Sequence, residues 1–389
     1  RRKPSARIIT VAGTNGKGSA VATVEALLRA AGRRTGAYTS PHLQRYNERV
    51  RLNGEDISDD ALVSAFEAVE EARGNVSLTY FEFGTLAAFV AFAGAGLDDW
   101  VLEVGLGGRL DAVNVLDADF AILTSVDIDH VAFLGDNREV IGFEKAGVLR
   151  PGIPSVYADS DPPRSVLQQA TAQKVELALL GRDYELVTEQ QAGDDAPAVE
   201  LRHKGRAIRL PAGPLPIKSV AAAVVAIREL EPNLPVPVIE QVLSGLSVPG
   251  RFERVGSAPD IFLDVGHNPH AAGWLSGQLS QLKSPGRRVH GVYGALADKD
   301  VAGVGRAMVD VVDAWYLAGL KVPRGLSGQD LQARLSDSGI QATAFESVRE
   351  GLVSALAVAD PNDLVVVFGS FFTVAEAREI LLAGKVAGS

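Results

Sequence analysis

Cysteine is absent from the 389 residues, and methionine occurs once. No disulfide framework or thiolate metal site can form, so any metal must be held by oxygen ligands or by one of the six histidines. The lack of cysteine also fits a reducing compartment, and a cytoplasmic protein is expected. Long apolar runs are missing too. The most apolar stretch, Phe89–Gly94, is glycine-rich and far shorter than the ~20 residues of a membrane span. Lys and Arg number 38 against 48 Asp and Glu, and the net charge of −10 argues against a general nucleic-acid surface or an anionic membrane as partner. The start shows no apolar signal core. It also lacks an initiator methionine and enters a strand almost at once, so the sequence reads as missing an amino-terminal piece that would hold substrate contacts. A content of 47% hydrophobic and 22% charged residues is that of an ordinary globular enzyme, long enough for two or three domains.

What is present begins with Gly13-Thr14-Asn15-Gly16-Lys17-Gly18-Ser19, between the apolar run Arg7–Val11 and the helical run Ala20–Leu28. Strand, glycine loop and helix in that order bind phosphate. The glycines let backbone N–H groups converge on an anion, the helix adds the positive end of its dipole, and Lys17 brings a mobile charge to the terminal phosphates. A plain glycine turn would need neither Lys17 nor Ser19. ATP is therefore the expected ligand, although the spacing departs from the common Walker A form.

Apolar runs at Trp100–Val104, Phe120–Thr124 and Ile153–Tyr157 alternate with helical patterns and predict a mostly parallel sheet covered by helices. A small antiparallel excursion is expected at 183–210, followed by helices at Ser219–Leu230 and Val236–Leu243. Pro249-Gly250 breaks the chain, placing a domain boundary near residue 248. Residues 249–389 then predict a smaller Rossmann-like α/β domain whose first strand is Ile261–Asp264, with further strands at Arg288–Tyr293, Ala314–Leu317 and Leu364–Phe368.

Chemistry-bearing residues cluster where predicted strands end. Glu103 precedes the glycine-rich Gly105–Gly108, Arg109 and Asp111, and beside a phosphate loop it is a natural ligand for the Mg²⁺ that accompanies ATP. His130 follows another strand and would share that site. Lys145, taken alone, reads as a solvated lysine on a helix. In the second domain Arg251, Asp264 and His267 suit phosphate and ribose recognition, and are expected to face the first domain's phosphate loop with ATP between the domains.

Taken together, these segments closely resemble the folylpolyglutamate synthase/dihydrofolate synthase family of the Mur ligase superfamily. The resemblance runs from about Ile9 to Phe371 and includes Thr39–Leu43, Asn47–Arg49, Thr79–Glu82, Glu103–Asn114, Asp129-His130, Glu144–Gly147, Gly250-Arg251, Asp264–Pro269 and Gly369-Ser370. It implies a P-loop-containing Mur ligase-like ATPase domain at 1–248 and a ligase domain at 249–389. By resemblance Asn15, Gly16, Lys17, Gly18 and Ser19 hold the ATP phosphates, and Ser40, Glu103, His130 and Lys145 are Mg²⁺ ligands, two ions being expected. Lys145 would join them as a carbamate. Thr79, Tyr80, Phe81, Glu82, Leu110, Asp111 and Ala112 match pterin-side segments, with Phe81 placed to stack on the ring. Arg251, Asp264 and Ser219 match nucleotide contacts, although at Ser219 the family usually has Asn.

The implied reaction is ATP-dependent addition of L-glutamate to dihydropteroate, to folylpolyglutamates or to both, through an acyl phosphate, by a monomer acting on small molecules. Lys17, Lys145, His130 and His267 are the expected catalytic residues. Two alternatives differ in chemistry. A Mur-type ligase would act on another carboxylate, whereas a P-loop kinase or nucleotide-binding regulator would need no amine.

Overall fold

The computed structural model describes residues 4–189 and 198–386, and the chain divides into two compact units, Arg1–Leu246 and Ser247–Ser389. In the first unit β1 (Arg7–Ala12), β2 (Thr35–Tyr38), β3 (Val50–Leu52), β4 (Glu55–Asp56), β5 (Asp99–Glu103), β6 (Phe120–Leu123), β7 (Pro154–Tyr157) and β8 (Glu176–Leu179) form one sheet. Its order is β4-β3-β2-β5-β1-β6-β7-β8. All neighbours from β2 to β8 run parallel, while β3 and β4 turn back as an antiparallel edge. The central strands read as continuous apolar runs because helices cover the sheet. These are α1 (Lys17–Ala30), α2 (Asp59–Arg73), α3 (Tyr80–Gly94), α4 (Val131–Leu134), α5 (Arg138–Ala146), α6 (Arg164–Ala172), α7 (Ile217–Leu230) and α8 (Val236–Ser244). The alanine-rich α7 packs on α1 and is buried at every residue from Ser219 to Arg228, which small side chains permit.

The expected antiparallel excursion is the three-stranded sheet of β9 (Tyr184–Glu189), β10 (Ala198–His203) and β11 (Arg206–Leu210); its part at residues 190–197 lies outside the described residues. At the amino ends of β1 and β5 the buried Asp99 carboxylate receives Arg7 and Arg33, and Arg7 also reaches Glu231 and the Leu230 carbonyl. A buried carboxylate satisfied in this way is tolerable. The network ties these strands to α7 at the end opposite the glycine loop, so that loop starts from a fixed edge.

The second unit holds β12 (Glu253–Gly256), β13 (Asp260–Asp264), β14 (Val289–Tyr293), β15 (Ala314–Ala318), β16 (Ala342–Phe345) and β17 (Leu364–Phe368), in the order β12-β13-β17-β14-β15-β16. Its helices are α9 (Pro269–Leu282), α10 (Val301–Met308), α11 (Gly328–Leu335), α12 (Val348–Val358) and α13 (Phe371–Val386). Ile261–Asp264 is not the first strand of this unit. The antiparallel edge strand β12 precedes it, and with one buried residue in four β12 carries no apolar pattern to read. Among the described residues no helix is long and apolar enough to cross a membrane.

Candidate active site

At the end of β1 the backbone takes conformations that only glycine enters easily. Gly13 has φ of 149°, and a Cβ there would lie 1.9 Å from Thr124 Oγ1; Gly16 has φ of 81°, and its Cβ would lie 2.1 Å from Ser219 Oγ. The exit of β6 holds the loop from one side. Thr14 N–H donates to the Ser125 carbonyl at 2.8 Å, Asn15 N–H to Ser125 Oγ at 3.1 Å, and the Thr14 hydroxyl to the Asp127 carbonyl at 3.1 Å. No side chain caps the head of α1, where Gly16 is the N-cap and Lys17 the first helical residue. The helix thus presents its positive end in the way anion sites require. Ser219 meets this loop from α7, within reach of Gly16.

Two amines converge on a single carbonyl. Lys17 Nζ donates to the Gly13 carbonyl at 3.1 Å and to that of Thr14 at 3.2 Å, while Lys145 Nζ donates to the same Gly13 oxygen at 2.8 Å. Lys145 is 4% exposed, so the reading of a solvated lysine is overturned. It sits on the inner face of α5 with Ile141, Gly142 and Ala146. Burial first, and the nearby Lys17 charge second, push its ammonium down to about 7.

The metal candidates gather around the same end of the sheet. Glu103, at the end of β5 and in register with Val11 of β1, is buried, and its Oε2 accepts the Ser40 N–H at 3.2 Å. His130 is exposed, has left-handed φ of 52°, and lies with Nε2 4.0 Å from Asp129 Oδ2. Among the described residues no three His, Asp or Glu side chains form a metal cluster. The candidate set includes a serine and a lysine, and the lysine becomes an anionic oxygen ligand only as a carbamate. One observation favours a hard cation here: Ser19 Oγ, in the first turn of α1, is buried without a hydrogen-bond partner.

Substrate-side segments divide by what their polar atoms already do. Thr79 and Glu82 cap α3 reciprocally, Thr79 Oγ1 accepting Glu82 N–H at 3.2 Å and Glu82 accepting Thr79 N–H at 2.7 Å. Tyr80 is exposed and lies beside Tyr46 and the Arg49 guanidinium. Phe81 packs on Tyr38 and so close to Gly105 that a Cβ there would lie 2.4 Å from its ring. Asp111 accepts the Leu106 and Val113 N–H groups at 2.9 and 3.0 Å, and burial raises its pKa. Leu110 projects outward, 79% exposed, and Ala112 opens a short 3₁₀ turn.

In the second unit Asp264 is buried at the end of β13, where Oδ2 accepts Phe252 N–H at 2.9 Å and Oδ1 accepts Gly266 N–H at 2.7 Å. Burial raises its pKa, with the Arg251 charge opposing. The Arg251 guanidinium lies 5.0 Å over the Phe371 ring, and His267, bonded through Nδ1 to the Val265 carbonyl at 3.0 Å, has its ring 6.5 Å from the same phenylalanine. Sequence reasoning missed Phe371 as this platform, and missed Ser125 and Asp127 as the clamp on the glycine loop. A hydroxyl pair, Thr124-Ser125, directly after an apolar strand was the readable signal.

Residues 250–371 match the family described as "Mur ligase, glutamate ligase domain". The dihydrofolate synthase/folylpolyglutamate synthase of Escherichia coli (strain K12) is 40% identical over 388 residues, covering 99% of this chain and 89% of that protein. The solved E. coli FolC in complex with DHPP and ADP superposes with a TM-score of 0.93 at 39% identity, covering 98% of this chain and 90% of that one. A Yersinia pestis c092 bifunctional folylpolyglutamate synthase/dihydrofolate synthase complexed with AMPPNP and Mn ion gives 0.90 at 42% identity, with 98% and 90% covered. With this identity along almost its whole length, the chain belongs to the dihydrofolate synthase/folylpolyglutamate synthase family.

Proposed function

We propose that this chain is an ATP-dependent amide ligase that adds L-glutamate to dihydropteroate and to folates through an acyl phosphate. The observation that carries the site assignment is the convergence of Lys17 and Lys145 on the Gly13 carbonyl, beside an uncapped helix start and the unpartnered Ser19 hydroxyl.

Joining a carboxylate to an amine in water is uphill, and a carboxylate is a poor electrophile. Its oxygen attacks the γ-phosphorus of ATP, the bond to the bridging oxygen breaks, and acyl phosphate and ADP form. The neutral amine of L-glutamate then attacks the acyl carbon, phosphate leaves with its electron pair, and the nitrogen gives up a proton. Asn15, Gly16, Gly18 and Ser19 orient the phosphates, and Lys17 leaves the Gly13 and Thr14 carbonyls to meet the charge that develops on the transferring group. Ser219 supports the loop at Gly16. Ser40, Glu103, His130 and Lys145 would hold the divalent cation, which neutralises phosphate charge when bound; the family resemblance puts the ions at two and the metal as Mg²⁺. Lys145 reaches that role as a carbamate: its neutral amine, populated near neutral pH once burial lowers the pKa, adds to CO₂ with loss of a proton. Thr79–Glu82 and Leu110–Ala112 take the pterin side of the acceptor. Arg251 and Asp264 serve the nucleotide, and His267 supports the reacting amine electrostatically. A cytoplasmic monomer completes the reading, the lack of cysteine being compatible with a reducing compartment.

Incubation with ATP, L-glutamate and either dihydropteroate or tetrahydrofolate tests the reading. ADP and phosphate should appear only when all three substrates are present, together with a product heavier by one glutamyl residue. ADP release without a new amide overturns it.

A further inference from the structure

We propose that Phe133 sets which acceptors the enzyme takes, by receiving the aromatic portion of the acceptor on its ring. The inference rests on the ligase reading and adds a specificity residue to it. Helix α4 is only four residues long and is anchored to a metal candidate. The left-handed turn at His130 lets the Phe133 and Leu134 N–H groups both donate to the His130 carbonyl, at 2.8 and 3.0 Å. Leu134 turns inward, and a Cβ at Gly107 would lie 3.2 Å from its Cδ2, so α4 is seated on the glycine loop that follows Glu103. Phe133, on the same short helix, is 76% exposed. A phenylalanine left in water contributes nothing to the stability of this helix.

Exposed apolar side chains mark ligand surfaces when they gather beside polar chemistry. Leu110 projects from the other end of the same glycine loop, and Val131 is half-exposed next to Phe133. Other nearby rings are already engaged. The Arg109 guanidinium covers Phe143 at 5.9 Å, and Phe81, in the segment proposed for the pterin, packs against Tyr38 and Gly105. Dihydropteroate, with its carboxylate at Lys17 and Lys145, carries an aromatic ring directly behind that carboxylate, whereas in a folate a glutamyl residue separates the two. Phe133, one turn beyond His130, is an exposed ring on the segment seated against the Gly107 loop.

Steady-state kinetics of the wild type, Phe133→Ala and Phe133→Tyr, with the acceptor and ATP varied separately, decide the matter. Phe133→Ala should raise the KM for dihydropteroate about tenfold, the scale of a lost aromatic contact. Its KM for ATP and its melting temperature should stay at wild-type values, and Phe133→Tyr should restore the acceptor KM. An unchanged acceptor KM in Phe133→Ala, an equal rise in the ATP KM, or failure of Phe133→Tyr to restore overturns the proposal while the ligase reading stands. A wild-type chain that forms no amide with any acceptor overturns both.

Discussion

At the end of β1 the chain buries positive charge; at the end of β13 it buries a carboxylate. Both Lys145 and Asp264 are 4% exposed, yet their surroundings differ in kind. Asp264 spends its two oxygens on the backbone N–H groups of Phe252 and Gly266, which fold the loop around it. Lys145 meets one carbonyl and shares it with a second amine. A buried ionisable group with its hydrogen bonds filled is a structural element, whereas one held with fewer partners beside a like charge is costly and is kept for chemistry. Depth of burial alone would have ranked the two residues together.

Breaking the charged side of this comparison should have the largest effect. Lys17→Ala removes a donor aimed at developing phosphate charge, and ADP release should fall about 10²–10³-fold. The melting temperature should hardly move, because the Gly13 carbonyl keeps its bond from Lys145. A loss of activity matched by a loss of stability would instead make Lys17 a structural tie.

Next in size is Gly16→Ala. The added Cβ faces Ser219 Oγ at 2.1 Å, and φ of 81° strains any side chain. Nucleotide affinity, measured by calorimetry, should drop by an order of magnitude or more, about 1.4 kcal/mol per tenfold. The double variant Gly16→Ala/Ser219→Gly should recover the steric share and leave a residual cost of about 1–2 kcal/mol from the backbone. Full recovery would show that the left-handed conformation at residue 16 is not required.

The carboxylate side predicts a stability effect. Asp264→Asn keeps the volume but replaces one acceptor oxygen with a donor that confronts a buried N–H, costing about 1–3 kcal/mol. Its pH dependence follows from the direction of the shift. Asp264 binds its proton more tightly folded than unfolded, so its contribution is greatest below the ordinary carboxylate pKa and declines as pH rises through the folded one. Asparagine cannot ionise, so the deficit of the variant should be larger at about pH 4 than at about pH 7 in thermal melts. A deficit that grows toward neutral pH would mean the ionised form is the favoured one.

Much of this arrangement was legible from residue pattern. The glycine spacing at 13–19 marked the phosphate loop, and the run Leu364–Phe368 coincides with β17 because a fully buried parallel strand is apolar throughout. β12 and the edge strands β3 and β4 were missed, since short edge strands show little apolar pattern. Lys145 was misjudged although its spacing from Ile141 already placed it on the inner face of α5. Thr79 and Glu82 form a capping box, which the pattern Thr-x-x-Glu spells out, beside the pterin-side role that the family resemblance implies for them. How Ser219, Thr124 and Ser125 close on the glycine loop depends on packing between segments distant in sequence, which periodicity does not encode.

The smallest expected effect tests whether planarity matters in the second unit. Arg251 spreads its guanidinium over Phe371 at 5.0 Å, and Lys at this position keeps the charge but loses the flat stacking face and the forked donors. If Arg251 serves the nucleotide through a geometry fixed by that ring, Arg251→Lys should raise the KM for ATP roughly threefold to tenfold, with kcat and melting temperature near wild type. Phe371→Leu should reproduce the rise without touching any charge, because an aliphatic side chain fills space but offers no ring face. Equal KM values for Arg251→Lys and wild type would reduce Arg251 to a point charge, and an effect of Phe371→Leu on stability alone would make the ring part of the core. Either result would remove the case for a positioned guanidinium, leaving the chemistry of this family member concentrated on the lysines beside β1.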